Sequence, residues 1–108
     1  MEVTALVRWL TPEEGGWSEL PVGGGPDFFG VAQLTDKGVE ETHGEHFSVV
    51  LNWEGIASSA DAMPARVRTF IDDAFSATGQ RFVIMDGPRP LAIGEVLSLS
   101  WSGVIREL

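Results

Sequence analysis

Nine residues, 46–54, constrain the fold of this chain more than any others. Phe47, Val49, Leu51 and Trp53 are apolar, and the residues between and beside them, His46, Ser48, Asn52 and Glu54, are polar, with only Val50 breaking the second set. A period of two belongs to a β-strand with one buried face, because successive side chains point to opposite sides of the pleat. Any fold proposed for the chain has to give this strand a covered side.

Other segments read the same way. Val3, Ala5, Val7 and Trp9 share one face, and Glu2, Thr4, Leu6 and Arg8 the other, so residues 3–10 form a strand with apolar character on both sides. Phe28–Leu34 is an apolar strand with Gly30 as a bulge point. Arg81–Asp86 and Leu91–Trp101 flank the turn Gly87-Pro88-Arg89-Pro90, and Val104–Leu108 makes a last short strand. Within 91–101, Leu97, Leu99 and Trp101 alternate with serines. Leu91 and Ile93 share their phase, Glu95 interrupts it, and a bulge at Gly94 would swing Glu95 outward.

Two regions break the pattern. Thr11–Pro26 carries Gly15-Gly16, the run Gly23-Gly24-Gly25 and three prolines, and reads as a long loop. Met63, Val67, Phe70, Ile71, Ala74 and Phe75 recur at helical spacing, with Pro64 in the first turn and Asp61 as cap, which predicts an α-helix over 61–76. The expected architecture is mainly β: a small six-stranded antiparallel β-barrel with one added helix, formed by a single domain over 1–108. The 108 residues suffice for one such domain, which buries roughly two thirds of the surface its unfolded chain exposes.

Charge and composition narrow the chemistry. The net charge is −9, and residues 1–54 carry ten of the sixteen acidic side chains against two basic ones. An acidic surface repels phosphate backbones and anionic lipid, so nucleic acid and membrane are not expected partners, whereas a basic protein is steered toward it. Without cysteine there is no disulfide, thiol catalysis or thiolate metal site. His43-Gly44-Glu45-His46, with Glu41, offers ligand types that zinc accepts, but the stretch reads as a loop entering a strand and no second cluster completes a site. No metal and no cofactor are expected. Neither histidine has a serine partner in a nucleophile motif, and no Gly-Lys-Ser/Thr follows the triple glycine as a phosphate-binding loop would require. The opening residues read as a strand rather than a signal peptide, and no run reaches the ~20 apolar residues of a membrane span. The expectation is a cytoplasmic protein.

Several segments, in order, resemble the C-terminal β-barrel domain of translation elongation factor Tu. Leu6-Val7-Arg8-Trp9-Leu10-Thr11-Pro12-Glu13-Glu14-Gly15-Gly16 is similar to that domain's first strand and acidic Glu-Gly-Gly turn. Pro26-Asp27-Phe28-Phe29 resembles its Arg-Pro-Gln-Phe-Tyr-Phe-Arg strand. Arg81-Phe82-Val83-Ile84-Met85-Asp86-Gly87-Pro88-Arg89, followed by Gly94 and Val96, resembles its Arg-Phe-Ala-Ile-Arg-Glu-Gly-Gly-Arg and the Gly-Val after it. The resemblance covers about half the chain and implies a six-stranded antiparallel barrel of the translation-factor type, used in that family for contacts with transfer RNA and partner proteins. Gly25 and Val31 stand where the family has arginines, and the chain has no GTPase domain and no phosphate-binding loop. The helix expected at 61–76 has no counterpart there. What carries over is the fold, with Arg81 and Arg89.

These readings converge on a non-catalytic binding module for a protein partner. Trp17 in the Gly-rich loop is the expected aromatic anchor, Glu13, Glu14 and Glu19 the acidic rim, and Arg81 and Arg89 basic spots on a common surface. The alternative is a small enzyme or ligand-binding barrel with Glu95, Arg81 and Arg89 around a pocket. It requires Glu95 to be buried, since burial is what tunes a carboxyl for acid–base work. Trp9, Trp53 and Trp101 are expected in the core.

Overall fold

Six antiparallel strands form a single sheet that closes into a barrel, in the order β1-β4-β3-β2-β5-β6 and back to β1. The strands are β1 (Glu2–Trp9), β2 (Phe28–Thr35), β3 (Thr42–Asn52), β4 (Met63–Thr69), β5 (Arg81–Asp86) and β6 (Arg89–Ser100). The computed structural model describes residues 1–16, 27–55 and 57–100. The short strand expected at 104–108 and the expected core residue Trp101 lie outside the described residues. Among the described residues, no helix is long and apolar enough to cross a membrane.

The alternating strands supply the interior. Val3, Ala5, Val7 and Trp9 of β1 point inward, with Phe47, Val49 and Leu51 of β3 and Phe82 and Ile84 of β5, and all are buried. Each large side chain taken fully out of water contributes about 1.5–3 kcal/mol. Aromatic rings fill the two ends. At one, Trp9 meets Phe28 edge-on at 5.2 Å and Trp53 at 5.4 Å. At the other, Phe75 packs on Phe47 at 5.4 Å and on Phe82 at 5.0 Å. The barrel is therefore filled by its own side chains.

The helix expected at 61–76 is not formed. Residues 63–69 are β4, paired with β1 from Glu2↔Arg68 to Val7↔Met63 and with β3 from Val49↔Thr69 to Asn52↔Arg66. Met63 and Val67 are four residues apart, a spacing that keeps one face in a helix and also in a strand. The deciding positions are Ala65, which is buried, and Arg66 and Arg68, which are exposed. Phe70 and Ile71 lie beyond the strand, exposed, while Ala74 and Phe75 turn back to close the barrel end. The helical spacing joins residues that belong to two different structures, a strand and the segment after it.

β6 carries two bulges, neither at Gly94. The pairs Ala5↔Val96 and Thr4↔Ser98 leave Leu97 as an extra residue, and Ile84↔Ala92 and Met85↔Pro90 leave Leu91. Between them Ala92, Gly94 and Val96 face inward, so Ile93 and Glu95 face outward without any bulge at Gly94. Beyond Leu97 the phase reverses, and Leu99 packs against the core.

Candidate functional site

The loop after β1 begins with a single 3-10 turn, Pro12–Glu14, closed by a capping box. Thr11 Oγ1 accepts from the Glu14 N–H at 3.2 Å, and the Glu14 carboxylate accepts from the Thr11 N–H at 3.0 Å. Arg8 then grips Glu14 with two parallel bonds of 2.9 Å and donates a third, of 3.2 Å, to the Ser59 carbonyl. The Arg8 hydrogen bonds hold the Glu14 carboxyl down at about 2, helped by the Thr11 N–H. Glu14 thus fastens the loop to the wall, and Arg8, which no motif marks, is its partner. Glu13 beside it is exposed.

This turn sits at the same barrel end as Arg89. Leu10 N–H donates to the Leu91 carbonyl at 2.8 Å, and a Cβ built on Gly15 would lie 3.8 Å from Pro90 Cγ. Glu13 and Arg89 therefore stand at one rim, with Asp86, the cross-strand partner of Arg89. Trp17 and Glu19 lie outside the described residues.

Arg81 is elsewhere. It begins β5, opposite Glu95, while Arg89 is opposite Asp86 at the turn. At roughly 3.3 Å per residue the two arginine backbones are about 17 Å apart along the hairpin. They stand at opposite ends of the β5–β6 hairpin, the length of β5 apart. The Arg81 guanidinium donates to the Asp36 carbonyl, in a cavity of about 400 Å³ that also includes His43, Thr78 and Gln80. There Asp36 pairs with His43 at 3.2 Å. Glu95 is exposed on the outer wall, so it lacks the burial that acid–base tuning needs, and Arg89 is too distant to complete a pocket with Glu95 and Arg81.

The sequence reading missed the outer face of β2. Phe29 is 71% exposed, and Val31, two residues on, is exposed as well. Val31 is paired with Met85 of β5, and the surface between them is a groove of about 300 Å³ that runs to Asp86 and Gly87 at the rim just described. Residues 28–32 are Phe-Phe-Gly-Val-Ala, apolar on both faces. That was the available signal: a barrel wall has one inside, so an apolar outer face needs another cover. A second exposed pair, Phe70 and Ile71, lies at the opposite end beside Asp72 and Asp73.

The ring is closed, but its β3–β4 ladder spans only Val49–Asn52 of β3, so β3 before Val49 and β4 before Arg66 have a ladder partner on one side only. No protein-family model matches the chain, and a search of curated proteins finds no matching relative.

Proposed function

We propose that this chain is a non-catalytic binding module, a small acidic barrel resembling the C-terminal domain of elongation factor Tu, that docks a protein partner. The observation that carries the reading is Phe29, an aromatic side chain 71% exposed on a regular strand beside Val31 and Met85. Exposed aromatics of this kind are the usual anchors of protein interfaces, and the charged groups around them form the rim. Here the rim is Glu13, Asp86 and Arg89. The partner this surface suits has a basic field, to match the net charge of −9, and an apolar side chain to enter the groove. The family likeness is supported by where the similar segments fall. Glu13-Glu14-Gly15 forms the turn after β1, Phe28-Phe29 opens β2, and Arg81–Asp86 is β5, running into a turn at Gly87 with φ of +59°.

The test is capture from the host lysate on tagged chain, at low and at high salt. Wild type and Phe70→Ser should retain the same protein, Phe29→Ser should lose it, and high salt should weaken retention. Both variants change exposed side chains, so their stabilities should stay within about 0.5 kcal/mol of wild type. Equal retention by Phe29→Ser would refute the assignment of the surface. No retained protein under either condition would refute the binding reading itself.

A further inference from the structure

The β3–β4 ladder ends at Val49↔Thr69, while β3 begins as far back as Thr42. The direction of its main-chain groups there follows from Thr69. The Thr69 N–H donates to the Met1 carbonyl at 2.9 Å, and the Met1 ammonium donates to the Thr69 carbonyl at 3.3 Å. Both groups of Thr69 thus face the β1 side, so Val49↔Thr69 is a non-bonded pair of the β3–β4 ladder and Val50↔Arg68 a bonded one. Counting back by twos from Val50, the N–H and C=O groups of Ser48 and His46 point away from β2, to the side that β4 has left. β4 ends because the chain bends at Phe70, where the Thr69 hydroxyl donates to the Ile71 carbonyl at 2.6 Å. Among the described residues, no main-chain hydrogen bond joins 46–48 to the segment 70–80.

The surroundings of this edge are apolar and acidic. Phe70, one residue past the last rung, is 74% exposed, and Ile71 beside it is exposed as well. Glu45 precedes the edge, and Asp72 and Asp73 follow Ile71, all three exposed. Asp72 lies 3.8 Å from the N-terminal ammonium, and no Lys or Arg stands within 42–48 or 70–76. A bulge sets the length of the edge. Gln33 alone faces Gly44, Glu45 and His46 between the pairs Ala32↔Phe47 and Leu34↔His43, so regular strand begins at His46. Free edges are commonly guarded by lysine, proline or a bulge, and this one has the bulge alone.

We propose that the β3 edge at His46–Ser48 accepts an extended basic segment of a protein partner as an added strand, with an apolar side chain of that segment packed on Phe70. Main-chain bonds to Ser48 and His46 supply the pairing, and the flanking side chains supply the selection. Charge decides the occupant. Glu45, Asp72 and Asp73 attract lysine or arginine side chains on the incoming strand. A second copy of the chain carries the same −9 and would bring a second Glu45 to the seam, so the two repel. The edge is a different surface from the Phe29 groove, which lies on the β5 side of β2.

The test titrates ¹⁵N-labelled protein with the blocked peptide Lys-Val-Lys-Val-Lys-Val-Lys and follows the amide signals of His46 and Ser48. Both should move saturably, and their exchange with deuterium should slow. A counterpart peptide whose three central amides are N-methylated keeps the charge but cannot pair as a strand, and should bind about tenfold more weakly or worse. Phe70→Ser should weaken the unmodified peptide by about tenfold, and Glu45→Lys should weaken it too. Phe29→Ser should leave its affinity unchanged, just as Phe70→Ser leaves capture at Phe29 unchanged. Equal binding of the N-methylated peptide, or of one with glutamate in place of lysine, overturns the proposal. So do His46 and Ser48 signals that stay in place, and loss of the peptide in Phe29→Ser, which would put it in the groove. Sedimentation of the chain alone as a dimer, with these amides already protected, would give the edge to a second copy instead.

Discussion

The tip of the Phe82 ring occupies the space where Gly94, across the β5–β6 ladder, would carry a Cβ. That atom would lie 2.8 Å from Cε1 and from Cε2, closer than real contacts allow. Phe82 is fully buried and packs on Phe75, which closes that end of the barrel. The glycine is thus a packing requirement of the plug.

Gly94→Ala must push Phe82 out of place, and overpacking of this kind costs about 1–3 kcal/mol. Urea denaturation should show a lower midpoint with an unchanged slope. An unchanged midpoint would mean that the ring finds another place at no cost.

The Arg8–Glu14 fork makes stability depend on pH in a known direction. The Glu14 carboxyl is lowered from 4.5 to about 2 by its hydrogen bonds to Arg8 and Thr11. A carboxyl whose pKa falls on folding stabilises the folded state above its unfolded value, and the contribution is lost as pH drops toward the folded value. The melting temperature should therefore fall between about pH 4.5 and 2 more steeply in wild type than in Glu14→Gln. The difference should shrink in high salt, because Glu14 is exposed. Parallel pH profiles in the two proteins would show that the pair adds nothing.

Thr35 is the buried polar side chain that shapes the β2–β3 connection. Its Oγ1 accepts from the N–H groups of Lys37 and Gly38 and faces the carbonyls of Gly38 and Glu41 at 2.7 and 2.6 Å. A hydroxyl has one proton, so it serves one carbonyl at a time. Thr35→Val keeps the shape and removes the oxygen, leaving those backbone groups short of a partner, at about 1–3 kcal/mol. Thr35→Ser should recover most of that loss. If valine and serine variants melt together, the hydroxyl is not what holds the turn.

Sequence alone determined the elements in which each residue's neighbours agree on one period. β1 and β3 were legible for that reason, β2, β5 and most of β6 as apolar runs bounded by turn signals, and the turn at Gly87-Pro88 because Gly and Pro restrict the backbone locally. The acidic charge was legible too, since it is a sum. Tertiary structure decided the rest. Residues 63–69 are a strand because β1 and β3 both offer them a ladder, to which the alternation of Ala65 and Val67 with Arg66 and Arg68 fits, whereas the helical spacing emerges only when residues 70–75 beyond the strand are counted with them. Glu95 faces outward because bulges at Leu91 and Leu97 reset the phase of β6, and a bulge is fixed by the partner strand. The separation of Arg81 from Arg89, the pairing of Arg8 with Glu14 and the exposure of Phe29 likewise depend on which strands become neighbours. A period is a local property of the chain, whereas register and the cover of an outer face arise only when distant segments meet.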